Sequence, residues 1–433
     1  MKQKLLIRVP AFTSLLYVCM FLLYSGCQDE CERTLTYTLY EPVYLTFDEL
    51  RSSVARQAAE PVREAGKIYI IGNYLLVNEP GKGIHVFNNS DPSKPENLAF
   101  INIPGNIDMA VKGNILYADS HVDLVALDIS DPENIHEVSR VKDIFPAWTR
   151  TIQAGQQIDP SIGIITDWKQ TRTTQISECN TANIQPFMWF GSSYAMLTDA
   201  RANSSPAPGG GSKPGIGGSM ARYTIYDNYL YTIDQANMQL FDISTPTQPF
   251  MMNAINIGWS IETIFPYKDK LFIGSQTGMH IYDNANPASP VHISTFAHVR
   301  SCDPVVADDK YAYVTLRNGN TCGGFINQLD VVDISDLAAP KLVKSYPMGN
   351  PHGLGLDDKT LFICDGTFGL KVYDATDPLA IDKAHLGTKP GQAFDVIPYE
   401  NIAIVTGTNG ISQYDYSDPK NLKLLSVIPV AAE

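Results

Sequence analysis

Four ionisable side chains lie near one position of a sequence repeat and could act on a ligand together. Aligning the repeats on a short aromatic strand places Glu262, Asp303 and His352 at equivalent positions of three successive units, and Arg222 one residue past that position in an earlier unit. Two carboxylates and an imidazole are suited to bind a cation or to perform acid–base chemistry. The alternative is a water-filled, hydrogen-bonded channel that holds the units together, and a one-residue slip in the alignment would turn these side chains away.

The repeat itself is defined by a box that recurs seven times. Residues 124–132 read LVALDISDP and residues 331–336 read VVDISD. The acidic or amide residue of each box is Asn88, Asp128, Asp242, Asp283, Asp333, Asp374 or Asp415. Most neighbouring boxes are 40 or 41 residues apart, and two longer gaps mark insertions.

Each unit contains four short strand signals separated by turn residues, which is typical of a propeller blade. Such a unit cannot bury both faces of its sheet alone, so blades must pack on their neighbours. We therefore predict an all-β chain with a single seven-bladed β-propeller of four-stranded blades over residues 64–433, with one long insertion.

The residues of the box are expected to be structural. The Asp at the strand end can accept hydrogen bonds from backbone N–H groups of the turn, and the Pro ends the ladder. Calcium binding by these carboxylates is the alternative. They recur once per blade, too far apart to share an ion, so we predict neither a metal nor a cofactor.

The boxes resemble the LVIVD repeat of bacterial and archaeal surface proteins, and residues 331–336 are among the closest copies. The resemblance extends over roughly residues 64–430. It implies a β-propeller and no established activity, since repeats of this type serve as binding or assembly scaffolds. Asn88 and Leu337 depart from the pattern, so those turns are expected to differ.

The N-terminus is typical of export. Residues 1–26 combine a basic start with a short apolar run, as in a signal peptide, and are followed by Cys27. Apart from Tyr24, the residues before Cys27 resemble a bacterial lipobox, which predicts lipidation of Cys27; ordinary secretion with a free Cys27 is the alternative. The acidic run Gln28–Glu30 resembles a surface-export signal. Residues 27–63 are then an anchor arm.

A long insertion interrupts the repeat at about residues 145–219. Ile162–Trp168 predicts a strand that extends the outer edge of the second blade. Trp189 and Phe190 lie in an apolar stretch that either packs onto the propeller or forms a recognition surface for sugar or protein. Gly209–Gly218 is glycine-rich but follows no predicted strand, so it is interpreted as a linker rather than a nucleotide loop.

Export also sets the redox context of the cysteines. Beyond Cys27 the mature chain has Cys31, Cys179, Cys302, Cys322 and Cys364. We predict a disulfide between Cys302 and Cys322, which stand at the same end of the fifth blade. Closing this loop of about 20 residues would stabilise the folded state by roughly 3 kcal/mol. A Cys302–Cys364 bridge is the main alternative, although Cys364 sits in an apolar strand typical of a buried thiol.

Composition excludes several functional classes. The chain is 44% hydrophobic and 18% charged, which argues against disorder, and its net charge of −14 with no basic block argues against nucleic-acid binding. We therefore expect an outer-membrane lipoprotein that faces the cell exterior and acts as a binding or assembly scaffold for an outer-membrane protein complex or a surface glycan. A propeller glycosidase or lyase that uses Glu262, Asp303 and His352 is the alternative, and an enzymatic role is the less favoured interpretation.

Overall fold

The structure is a computed structural model that describes residues 32–145, 161–178, 215–234, 236–299, 304–318 and 326–431. Its elements are almost all strands, with one helix, α1 (Phe47–Ser52), and a 3-10 turn at Ile381–Lys383. Thr46 and Glu49 cap α1 reciprocally, each side chain binding the other residue's backbone N–H. Within these residues, no helix has the length and apolar character needed to cross a membrane.

The strands are short and follow one another closely. The first twelve are β1 (Glu32–Thr46), β2 (Ala55–Ala58), β3 (Ile68–Ile71), β4 (Tyr74–Glu79), β5 (Gly83–Asn88), β6 (Glu96–Asn102), β7 (Met109–Lys112), β8 (Ile115–Ser120), β9 (Asp123–Asp128), β10 (His136–Val141), β11 (Gly163–Glu178) and β12 (Ile216–Gly217). The next nine are β13 (Tyr223–Tyr226), β14 (Tyr229–Ile233), β15 (Asn237–Asp242), β16 (Phe250–Met251), β17 (Ile255–Asn256), β18 (Ile261–Tyr267), β19 (Lys270–Ser275), β20 (Gly278–Asp283) and β21 (Val291–Ala297). The last are β22 (Val305–Ala307), β23 (Tyr311–Leu316), β24 (Gln328–Asp333), β25 (Lys341–Pro347), β26 (Leu354–Asp357), β27 (Thr360–Cys364), β28 (Leu370–Asp374), β29 (His385–Lys389), β30 (Asp395–Tyr399), β31 (Ile402–Gly407), β32 (Gly410–Asp415) and β33 (Lys423–Pro429).

Two compact units divide the chain, and the smaller one includes residues 32–44 and 165–178. In it β1 and β11 form a two-stranded sheet. Side-chain contacts join Thr36 to Thr174 at 3.3 Å and Glu41 to Lys169 at 3.6 Å. The residue numbers rise along one strand as they fall along the other, so the pair is antiparallel. The predicted strand at Ile162–Trp168 exists, but its expected place on the outer edge of the second blade was wrong, because β11 pairs with β1.

The larger unit contains the repeated sheets. In the described part of the chain these are sheet 1 (β12, β3–β6 and β2), sheet 2 (β7–β10), sheet 3 (β13–β17), sheet 4 (β18–β21), sheet 5 (β22–β25), sheet 6 (β26–β29) and sheet 7 (β30–β33). Sheets 2 and 4–7 each have the predicted four antiparallel strands in chain order. In sheet 3 the outer position is divided between β16 and β17, and in sheet 1 strands β2 and β12 are added at the two edges.

Each sheet packs on the next through buried apolar side chains. Separate core clusters join sheets 1–3, sheets 3 and 4, sheets 4–6, and sheets 6 and 7. A further cluster joins sheet 7 back to sheet 1, where Ile397 and Ile404 lie with Ile70 and Leu75. No sheet could bury both faces alone, and these shared cores bury the faces between neighbouring sheets.

The boxes make the predicted turns. In six of the seven copies, the box Asp or Asn side chain accepts a hydrogen bond from the N–H two residues later at 2.8–3.1 Å. The seventh copy, Asp283, does the same to Ala285 at 3.2 Å. These bonds confirm the structural interpretation of the box.

The last residue of most boxes also ties neighbouring sheets together. Hydroxyl groups of the preceding sheet donate to its main-chain carbonyl in five pairs: Tyr117 to Pro246, Tyr231 to Pro287, Ser294 to Leu337, Tyr346 to Pro378, and Ser426 to Pro92. The final pair again joins sheet 7 to sheet 1.

Candidate functional site

Charged residues at the starts of the first strands of sheets 1, 2 and 3 contact one another. The Lys67 ammonium, before β3, lies 2.5 Å from Asp108 Oδ2, and both side chains are buried. The main-chain N–H of Arg222, before β13, donates to the same oxygen at 2.5 Å. One carboxylate therefore holds the starts of sheets 1, 2 and 3. Burial lowers the pKa of Lys67, although Asp108 favours its charged form.

Asp119 in β8 supports this arrangement from behind. Its carboxylate accepts hydrogen bonds from the N–H groups of Ile107 and Asp108 at 2.9–3.1 Å and from the Asn106 side chain at 3.0 Å. Burial raises the pKa of Asp119 to about 6, although these hydrogen bonds favour the charged form. The turn before β7 is thereby fixed, and with it the position of the Asp108 carboxylate.

Glu262 lies at the start of β18 within a register shift between Ile261 and Thr263. The Gln276 side chain donates to its Oε1 at 3.2 Å. Burial raises the pKa of Glu262, although Gln276, Arg222 and Arg317 favour its charged form. Arg317 is itself buried, so Glu262 stands in a charged environment to which two guanidinium groups contribute.

His352 precedes β26 and is buried against Phe394, with ring centroids 5.2 Å apart. Its Nε2 lies 3.2 Å from the Asn350 side-chain nitrogen. The main-chain carbonyl of His352 accepts a hydrogen bond from the Thr315 hydroxyl at 2.6 Å. The residue thus helps to join sheet 5 to sheet 6.

A seven-residue stretch, Gly215–Ala221, crosses between the inner strands and is called the crossing segment below. Its strand β12 pairs with Tyr69 and Ile70 of sheet 1. Its other main-chain and hydroxyl contacts reach three sheets: Gly215 N–H to Val111 O in sheet 2 at 3.2 Å, Leu354 N–H in sheet 6 to Ser219 Oγ at 2.9 Å, and Ile264 N–H in sheet 4 to Ala221 O at 2.8 Å. The end of the glycine-rich stretch, interpreted above as a linker, therefore bridges inner strands.

The predicted site residues divide into two groups. Arg222 and Glu262 share one electrostatic environment, and His352 has its own described partners, Asn350 and Phe394. Cys27, Asp303, Trp189, Phe190, Cys302 and Cys322 lie outside the described residues. Cys364 is a free, fully buried thiol, which confirms its predicted burial; its alternative partner Cys302 lies outside the described residues.

Sequence reasoning missed Lys67, Arg317 and the crossing segment. Lys67 directly precedes β3, in a unit that contributes none of the predicted site residues. Arg317 follows β23 in sheet 5, and its charge favours the ionised form of Glu262 in sheet 4. A search for opposite charges at the inner-strand starts of adjacent units would have paired Lys67 with Asp108.

A family model matches three segments of the repeat region. The model described as LVIVD repeat matches residues 106–143, 217–256 and 300–347. The chain carries LVIVD repeats. The three matched LVIVD segments contain the boxes of Asp128, Asp242 and Asp333, so the recognition made from the box sequence is confirmed.

Solved structures that resemble this chain show the fold of its LVIVD repeats. A Lactobacillus plantarum protein is 12% identical with a TM-score of 0.52, over 84% of this chain and 97% of that one. The Pseudomonas aeruginosa periplasmic gluconolactonase PpgL is 10% identical with a TM-score of 0.51, over the same shares. These neighbours are β-propellers, so the chain has a propeller fold. Identities this low establish the fold alone. No curated protein matches the chain.

Proposed function

We propose that the chain is a single seven-bladed propeller, lipid-anchored through Cys27 in the outer membrane and facing outward, that serves as a binding scaffold for a protein partner. Seven successive sheets, and the core that joins sheet 7 to sheet 1, support the blade number. The signal-like residues 1–26 and the acidic run after Cys27 support export and anchoring.

The observation that carries the scaffold role is the use of charged side chains at the inner strands to join sheets. Asp108 binds Lys67 and the Arg222 main chain, so its lone pairs hold three sheets together. The crossing segment adds main-chain hydrogen bonds to sheets 2 and 4. A catalytic cleft would instead direct such groups toward a substrate.

The partner is proposed to be a protein because three exposed apolar side chains stand on the connections at one end of their sheets. Trp259 is 86% exposed between β17 and β18, Val299 follows β21, and Phe368 lies between β27 and β28. In four-stranded antiparallel sheets, the second turn and the link to the next sheet emerge at the same end. Aromatic anchors of this kind are typical of binding hot spots between proteins.

Trp259 is also held in an unusual backbone. Gly258 has φ of 140° and Ser260 has φ of 60°, a conformation that a non-glycine residue rarely adopts. Strained backbone that displays an exposed aromatic side chain is a feature of functional loops.

Site-directed photo-crosslinking in intact cells tests the proposal. A photoreactive residue at Trp259 or Phe368 is expected to capture one protein in stoichiometric yield. The same residue at exposed Lys420, in a box turn at the opposite end of its sheet, is the matched control and is expected to capture none. Equal capture at all three positions, or at none, would contradict the scaffold role. Turnover of a glycan panel by wild type, lost in Glu262→Gln, would favour the enzyme alternative.

A further inference from the structure

A fully buried carboxyl group, Asp395, starts β30 at the position that Asp108 occupies before β7. Both pair with the second strand in the same register, Asp395 opposite Thr406 and Asp108 one residue before the Met109–Ala118 pair. The two carboxyls therefore stand on opposite sides of Lys67, in sheets 7 and 2. Only Asp108 receives the lysine ammonium, at 2.5 Å.

Asp395 is left without a hydrogen bond of normal geometry on either carboxyl oxygen, in the part of the chain that the structure describes. Its register partner Thr406 is also fully buried, and its hydroxyl oxygen has no hydrogen-bond partner either. Burial raises the pKa of Asp395 well above its usual range, although the Val396 N–H, Lys67 and the nearby Ser219 hydroxyl favour its charged form. Ser219 Oγ also accepts from Leu354 N–H, and Lys67 is held by Asp108. Adjacent buried polar groups of this kind require an explanation such as a bound ion or water.

The backbone is shaped to admit this carboxyl. Gly353 packs against it so closely that an added Cβ would lie 1.9 Å from Asp395 Oδ1. The crossing segment approaches the same carboxyl through Ser219, which is fully buried. Asp395 lies opposite Thr406 and near the Ser219 hydroxyl, so three buried side chains bring oxygen atoms to one position between sheets 6 and 7.

We propose that this position binds a monovalent cation, Na⁺ or K⁺, through the Asp395 carboxylate and the Thr406 and Ser219 hydroxyls. An unpaired buried carboxylate is costly, and a single positive charge offsets it. The ligands are all oxygen, which suits a hard cation. A divalent ion normally recruits several carboxylates, and among the described residues no group of three or more His, Cys, Asp or Glu side chains is placed to hold one.

Thermal unfolding of the full mature protein at pH 8 tests the site, with NaCl, KCl or choline chloride at equal ionic strength. Choline is too large to enter a buried site. The Tm of wild type is expected to be higher in Na⁺ or K⁺ by about 2 °C or more. Asp395→Asn should remove that difference and should unfold at a higher temperature than wild type in choline, because the uncompensated charge is gone.

Two further variants separate the site from general effects on folding. Thr406→Val keeps the side-chain shape and is expected to weaken the cation response while retaining the fold. Asp365→Asn alters another buried carboxyl, one that Lys371 and the N–H groups of Gly349 and Asn350 already satisfy. It should lower the Tm in every salt and leave the cation response intact.

Other occupants give different results. Equal wild-type Tm values in the three salts would overturn the proposal and assign the position to water. An infrared band of a protonated carboxylic acid in wild type at pH 8 in NaCl, absent in Asp395→Asn, would overturn it in favour of a bound proton.

Discussion

The hydroxyl of Tyr117 in sheet 2 donates a 2.7 Å hydrogen bond to the main-chain carbonyl of Pro246, the proline that closes the box of sheet 3. The box therefore does two things at once. Its Asp closes the turn within a sheet, and its last carbonyl receives the neighbouring sheet. The same two contacts occur together at five of the seven boxes.

Removing this contact should weaken the fold measurably. Tyr117→Phe is expected to lower the free energy of unfolding by about 1 kcal/mol, since a neutral hydrogen bond contributes that much and the Pro246 carbonyl loses its donor. Urea denaturation measures the change. Tyr313→Phe is the matched control, because the buried Tyr313 hydroxyl has no hydrogen-bond partner among the described residues and its loss should be neutral or stabilising. Equal losses in the two variants would contradict the role of the Pro246 carbonyl.

Repetition explains which features the sequence could predict. The box turns occur seven times, so their Asp and Pro residues stand out against a variable background. The Lys67–Asp108 pair, the crossing segment and the β1–β11 pairing each occur once. The crossing segment and the β1–β11 pair join residues far apart in the chain, such as Thr36 and Thr174, and no periodicity marks them. Lys67 and Asp108 lie in adjacent units, and only their opposite charges mark the pair. The orientation of a side chain such as Glu262 also depends on a local register shift that the alignment of repeats does not contain.

Acid should weaken the fold partly through Glu79. Burial alone would raise the pKa of Glu79, but hydrogen bonds from His85, Lys82 and the Arg63 N–H lower it to about 2. Because the folded pKa lies below the unfolded value of 4.5, this stabilisation is present above pH 4.5 and is lost as the pH falls toward 2. The shift corresponds to about 3 kcal/mol.

Urea denaturation of wild type and Glu79→Gln at pH 7 and pH 3 measures this contribution. The variant is expected to be less stable at pH 7, and the difference should shrink by at least half at pH 3. Glu133→Gln, which alters an exposed carboxyl paired with Arg56, should show a small difference at both pH values. A difference for Glu79→Gln that does not change with pH would contradict the proposed ionisation.

The cysteine prediction concerns Cys302 and Cys322, which lie outside the described residues. Non-reducing peptide mapping of exported protein is expected to recover them as one linked pair. Cys364 should react with a thiol reagent only after unfolding, because it is fully buried. Free thiols at both Cys302 and Cys322 would refute the bridge.

The anchor is tested by Cys27→Ala, with Cys31→Ala as the control for loss of a thiol. Only the first variant is expected to lose labelling by a lipid precursor and to appear in the soluble fraction. Unchanged membrane association of Cys27→Ala would exclude anchoring through this residue.

The central claim is that the exposed apolar side chains bind the partner while the inner charged residues hold the sheets together. The dissociation constant of the crosslinked partner, measured for wild type, Trp259→Ala and Glu262→Gln, tests it most directly. Trp259→Ala should weaken binding at least about tenfold with an unchanged Tm, as for an aromatic hot spot. Glu262→Gln should leave binding unchanged. Loss of binding in Glu262→Gln together with full binding by Trp259→Ala would contradict the account.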